Sequence, residues 1–142
     1  MNQQFISVII PAYNGEFFLA EAINSIERQH HAPLEIIVVD DGSTDNTYKE
    51  MLSFEKVHLQ SAFEVTLIQI SQSDSKGKKA ALSQGIFQAK NPYILLTDAD
   101  CRPVSIQWIN LMVTYFGHNT SVVLGYGAYE KKERSFLNKL IR

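Results

Sequence analysis

The segments Phe5–Pro11 (FISVIIP) and Leu34–Asp40 (LEIIVVD) constrain this chain more than any other feature. A strand with one face in water alternates apolar and polar residues, whereas these runs carry aliphatic, mostly β-branched residues at successive positions. Strands of that kind must be covered on both faces. Helix-period stretches stand between the apolar runs, as that requires. Asn14 is a cap for a helix over about Glu16–Gln29, with Phe18, Ala22 and Ile26 on one stripe and Leu19 and Ile23 beside it. After the second strand Gly42 permits a turn, and Ser43 or Thr44 starts a helix running to about Leu52.

The alternation continues down the chain. Val65–Ile70 reads as a third strand, and Lys78–Ala89 as a helix that buries Leu82 with Ile86 and keeps Ala81, Gly85 and Ala89 small against a sheet. Tyr93–Thr97 is the fourth strand, and Trp108, Leu111, Met112 and Tyr115 mark the helix after it. Val122–Leu124 is expected as a short fifth strand, and Arg134–Ile141 as an amphipathic helix with Phe136, Leu137, Leu140 and Ile141 apolar. The order predicts an α/β fold: a mostly parallel sheet with helices on both faces. At 142 residues the chain suits a single domain over 1–142.

Bulk properties exclude several classes. The formal net charge of −2 carries no basic footprint for nucleic acid, so any phosphate must be met locally. No apolar run approaches the roughly 18 residues of a membrane helix, and Phe5–Ile10, broken by Pro11, is too short for a signal peptide. The single cysteine, Cys101, has no internal disulfide partner, which fits a cytoplasmic, reducing setting. The histidines (His30, His31, His58, His118) show no metal spacing and read as surface residues.

In open α/β sheets ligands gather at the carboxyl ends of the strands. Polar clusters fall at that edge: Pro11-Ala12-Tyr13-Asn14 after the first strand, Asp40-Asp41-Gly42-Ser43 after the second, and Asp98-Ala99-Asp100 after the fourth. Each alone has a plain explanation as a cap, a strand end or a solvated turn. Their coincidence on one edge points to a site. Asp98 and Asp100 are hard oxygen ligands just past a buried strand, suited to Mg²⁺ or Mn²⁺ and through it to a diphosphate. Lys76, Lys78 and Lys79 surround the start of the third helix, where cations oppose the helix dipole and an anion would reverse that penalty. A solvated lysine face explains Lys76 and Lys79 nearly as well.

With these residues in view, the chain resembles the family 2 glycosyltransferases of the GT-A fold. The resemblance rests on VIIPAYN (Val8–Asn14), IIVVDDGSTD (Ile36–Asp45), KGKKAALSQGI (Lys76–Ile86) and LLTDAD (Leu95–Asp100), in order and at approximate spacing, and it spans about Phe5 to Phe116. It implies a transferase that moves a hexose from a nucleoside diphosphate sugar, UDP by preference, to a growing glycan or lipid-linked acceptor, as in cell-envelope polysaccharide biosynthesis. It implies that Pro11, Ala12 and Tyr13 wrap the base, that Asp40 or Asp41 accepts a hydrogen bond from the base ring, and that Lys78 lies near the donor. Asp98 would hold the ribose side, and Asp98 and Asp100 the cation bridging the diphosphate. The family's catalytic base is an Asp in a later acidic motif, which inverting members need, and nothing after Asp100 matches it: Glu130 and Glu133 stand among Lys131, Lys132 and Arg134. The expectation is therefore a donor-binding portion whose base and acceptor site lie outside these residues, self-associating through the apolar stripe of its last helix and placed at the cytoplasmic face of a membrane in a longer parent.

Other readings stay open on the residues alone. A haloacid dehalogenase-like phosphatase also follows a strand with Asp-X-Asp, but Arg102 stands where Thr or Val is usual there. Nucleotidyltransferases and dinucleotide-binding domains need a glycine-rich loop, and PAYNGE has a single glycine. A nucleotide-sugar binding module without turnover is the remaining alternative.

Overall fold

The computed structural model describes residues 5–30, 34–58, 63–74, 76–117 and 119–128. Their elements run β1 (Ile6–Ala12), α1 (Leu19–Glu27), β2 (Leu34–Asp41), α2 (Thr47–His58), β3 (Glu64–Ile70), α3 (Lys78–Gln88), β4 (Tyr93–Leu96) and α4 (Trp108–Thr114). The strands form one parallel sheet in the order β3-β2-β1-β4. β1 and β2 are central and buried along their whole length, as their aliphatic runs require, with Ser7, Glu35, Asp40 and Asp41 as buried polar exceptions.

Strand alternation divides the core. Val8, Ile10, Ala12, Ile36 and Val38 face α1, α2 and α4, meeting Leu19, Ile23, Ile26, Met51 and Ile109. Ile9, Ile37 and Val39 face the other way, onto Ala81 of α3. That second interface is close. A Cβ on Gly85 would lie 2.4 Å from Ile9 Cγ2, so only glycine lets α3 approach the sheet at that point.

Several local expectations are corrected. α1 begins at Leu19, not Glu16, and Asn14 does not cap it: no side chain caps this helix, and the residues before it are committed to contacts with the β2–α2 loop. Phe18 is accordingly exposed, while Leu19, Ala22, Ile23 and Ile26 form the buried stripe. α2 starts at Thr47, capped by Asp45 Oδ1, which accepts from the Thr47 N–H at 2.9 Å, so neither Ser43 nor Thr44 opens it. It also runs on to His58. On α3 the small residues Ala81 and Gly85 meet the sheet, which turns Ile86 outward to 47% exposure. Leu111 of α4 and Tyr115 just after it are exposed too, and Ile109 is the helix's buried anchor. Val122–Leu124 forms no strand: three residues make too few ladder bonds to hold without a neighbour in place. Arg134–Ile141, with its apolar stripe, lies outside the described residues.

Candidate active site at the carboxyl edge of the sheet

β1 connects to β2 and β3 on one side, and β4 pairs with β1 on the other. The crevice between the loops leaving β1 and β4 is therefore the topological switch point of this sheet, the position where ligands collect in open α/β folds. The polar clusters read from the sequence meet around it.

Asp40 and Asp41 end β2 and are buried, at 0% and 4% exposure. Alternation carries Asp40 onto the face of Val38, beneath α1 and α2, and Asp41 onto the α3 face. Asp40 Oδ1 accepts from the Ser43 N–H at 3.1 Å, whereas Asp40 Oδ2 and Asp41 Oδ1 are buried without a hydrogen-bond partner. Buried carboxylate oxygens are normally satisfied, so these acceptors require a donor from elsewhere. Gly42 follows at φ 74°, with a Cβ position 3.0 Å from the Gln72 Cα, which explains glycine at this turn.

At the end of β1, Pro11 and Ala12 are buried, and Tyr13 just after it is 61% exposed. The β1–α1 loop is then laced to the β2–α2 loop. The Asn14 N–H donates to Ser43 Oγ at 2.9 Å, and Asn14 Oδ1 accepts from the Thr44 N–H at 2.8 Å and Thr44 Oγ1 at 3.2 Å. The Gly15 N–H donates to Thr47 Oγ1, the Glu16 N–H to Asp45 Oδ2, and the Asn46 N–H to Glu16 Oε2. Burial by itself would raise the Asp45 pKa, but hydrogen bonds from the Thr47 hydroxyl, the Thr47 N–H and the Glu16 N–H outweigh it, and the carboxyl sits below its ordinary value.

At the β4 end, Asp98 is half-buried and Asp100 exposed, with the Cys101 N–H closing a turn onto the Asp98 carbonyl. One carboxylate oxygen each from Asp98 and Asp100 and the Cys101 Sγ all lie within 4.8 Å of one another. Burial, then the charges of Asp100 and Asp98, push the Cys101 thiol up. Lys78 reaches across from the start of α3 to Asp98, Nζ to Oδ1 2.6 Å, with both side chains substantially exposed. Arg102 ties the same loop to Glu21 on α1, and Ala99 packs over Gly15, whose Cβ position is 3.7 Å from the Ala99 Cβ. Lys76 and Lys79 are exposed at the mouth of α3. His30 is exposed, with its Nδ1 3.1 Å from Gln107 Nε2, as a surface residue should be.

The structure thus brings Tyr13, Asp40, Asp41, Lys78, Asp98 and Asp100 to one edge. Sequence reasoning missed Asp45, Thr47 and Glu16, and assigned Asn14 to the wrong partner. Cys101, read from the sequence only for its lack of a disulfide partner, stands among the acids. Its adjacency to Asp100 was the available signal.

Comparisons with known proteins establish the family and the fold. A dolichyl-phosphate beta-glucosyltransferase of Saccharomyces cerevisiae is 37% identical over 100 residues, covering 68% of this chain and 30% of that protein. The glycosyltransferase GlyG of Streptococcus pneumoniae is 31% identical over 139 residues, covering 94% of this chain and 42% of GlyG. Among solved structures, the mannosyltransferase PcManGT of Pyrobaculum calidifontis in complex with GDP-Man and Mn²⁺ superposes with a TM-score of 0.74 at 26% identity, over 81% of this chain and 33% of that one. Staphylococcus aureus TarS 1-349 in complex with UDP-GlcNAc gives 0.64 at 26% identity, over 77% and 30%. The chain therefore spans well under half the length of these relatives. No helix among the described residues is long and apolar enough to cross a membrane. The family model for glycosyl transferase family 2 matches residues 7–142, and the chain belongs to that family, with the GT-A fold.

Proposed function

We propose that residues 1–142 form the donor-binding portion of a cytoplasmic glycosyltransferase that takes a UDP-sugar together with Mn²⁺ or Mg²⁺. The observation that carries this reading is the pair of carboxylates, Asp98 and Asp100, at the switch point of the sheet. Their donor set, one carboxylate oxygen from each, fits a hard divalent cation such as Mn²⁺ or Mg²⁺. Such a cation, when bound, stabilises the negative charge of a departing nucleoside diphosphate.

The chain's own groups divide the rest of the donor. Asp41, buried with a partnerless oxygen, accepts the ring N–H of the base, and the exposed ring of Tyr13 stacks on it above Pro11 and Ala12. Asp40 is held by Ser43 and acts on the base side through that loop. Asp98 serves the ribose side. Its ion pair with Lys78 is exposed and so of little energetic worth, which lets the lysine turn toward the diphosphate when a donor arrives. The residues from Cys101 to Ala128 contain no Asp or Glu, so the base for an inverting transfer to a glycan or lipid-linked acceptor comes from outside the described residues.

Calorimetric titration with UDP in Mn²⁺ and in EDTA tests the reading. Binding should weaken at least about tenfold in EDTA, and Asp100→Ala should bring the Mn²⁺ value down to the EDTA value without unfolding the protein. Equal affinity with and without cation removes the metal role. Tighter binding of GDP than UDP replaces uridine by guanosine, whose ring N–H Asp41 could equally accept.

A further inference from the structure

We infer that Asn14 is a positioning residue for nucleotide recognition, a latch that fixes Tyr13 relative to the buried acids of β2. This rests on the donor reading above. The observations come from the backbone and from a hydrogen-bond relay.

Asn14 has φ 51°, and it is the one non-glycine residue with positive φ among the described residues. That region costs L-residues free energy and is occupied where the surroundings demand it. Here the surroundings are the neighbouring loop. The Asn14 N–H meets Ser43 Oγ, and its Oδ1 takes two donors from Thr44. Ser43 in turn donates its N–H to Asp40 Oδ1. The relay therefore runs from the buried Asp40, through Ser43, to Asn14, and ends at Tyr13 by a covalent bond. It joins the end of β2 to the end of β1, between strands whose ladder stops at the pair Ala12 and Asp40.

Without Asn14 Oδ1 the stretch after Ala12 loses its side-chain tie to Thr44, although the strands beneath remain paired. Tyr13 is mostly solvent-exposed and has little packing of its own to hold it. A ring that must stack on a base then pays for its ordering when the nucleotide binds; the latch makes that ordering a property of the free protein. Asn14 Oδ1 acts purely as an acceptor in these contacts, so an aspartate can replace it and a glycine cannot. Glycine meanwhile removes the backbone strain, which offsets part of the lost hydrogen bonding in overall stability.

The test compares the wild-type chain with Asn14→Gly and Asn14→Asp, using UDP with Mn²⁺ in calorimetry, thermal unfolding, and amide exchange by NMR. Asn14→Gly should keep a near-native thermal midpoint, speed exchange at the Thr44 amide, and weaken UDP about tenfold. Asn14→Asp should restore both the slow Thr44 exchange and most of the affinity. Equal UDP affinity in the wild type and Asn14→Gly overturns the positioning role while leaving the donor reading intact. So does an Asn14→Asp variant that restores Thr44 protection but not affinity. Failure of the wild-type chain to bind UDP in any condition overturns the donor reading and the positioning role together.

Discussion

β2 carries buried acids at both ends, and they are treated differently. At the amino end, Glu35 is 3% exposed, and its Oε2 takes the Ser7 hydroxyl at 2.5 Å and the Lys90 N–H at 3.0 Å. The Ser7 hydroxyl oxygen also receives the Asn91 N–H, so this carboxylate fastens the turn between α3 and β4 under the sheet. At the carboxyl end, Asp41 is equally buried, and its Oδ1 has no donor. Glu35 Oε1 is unpaired as well, but the side chain as a whole is held by two donors. The difference teaches that burial of a charge does not by itself mark a site. Burial without partners at a ligand-gathering edge does, because the native chain then bears a cost that a ligand can offset.

Removing Glu35 is the largest way to break the comparison. Glu35→Ala leaves the Ser7 hydroxyl and the Lys90 N–H without an acceptor inside the protein and opens a hole. It should cost about 3 kcal/mol of stability in urea unfolding. Where the variant remains folded, its UDP affinity in Mn²⁺ should match the wild type. A variant of native stability with weakened UDP binding would move the functional acid to the wrong end of the strand.

Asp41→Asn is the converse test and a smaller effect. The amide keeps the shape, removes the charge behind the partnerless Oδ1, and should raise stability by about 1 kcal/mol. On the base side it loses a charge-assisted acceptor, so UDP should bind about tenfold more weakly. Nucleotide loss accompanied by a stability gain is a combination that a structural acid cannot produce. Loss of stability with unchanged UDP affinity would make Asp41 a second Glu35.

Much of the fold was legible because both-face burial leaves so few arrangements for FISVIIP and LEIIVVD, and the parallel sheet with helices on each side follows from it. The acids after β4 were legible because an Asp-X-Asp that follows a parallel strand within two residues falls at its carboxyl edge, although β4 itself is a half-buried edge strand. The lacing of the first two loops was not. Asn14, Ser43 and Thr44 are good helix caps, and that local use is what their residue types suggest. Their real partners lie 29 and 30 positions away in the chain, and only the pairing of β1 with β2 brings them together. Ile86 failed for another reason. Helical periodicity allowed either Ile86 or the stripe of Ala81 and Gly85 to face the sheet, and the close approach at Ile9 selects the small residues.

Asp45 completes the comparison as an acid that is neither deeply buried nor short of partners, and it gives the smallest effect. Its Oδ1 accepts from the Thr47 N–H and hydroxyl, and its Oδ2 from the Glu16 N–H at 3.3 Å. These contacts favour the ionised form, so the folded-state pKa lies below the ordinary 3.8. A carboxyl depressed by folding contributes stability above its unfolded pKa, and that contribution drains away as pH falls through the lower folded value. Asp45→Asn keeps an acceptor for Thr47 but offers only an N–H₂ group to the Glu16 N–H. At neutral pH the variant should therefore melt lower than the wild type, by no more than about 2 °C for a contact this open to water. Below the carboxyl's folded pKa the protonated wild-type side chain also loses an acceptor oxygen, and the two midpoints should converge. A gap that persists unchanged to pH 2 would mean that Asp45 acts through shape rather than charge. The Asp45 ties would then act as neutral hydrogen bonds, and the contrast between buried acids would rest on Glu35 and Asp41.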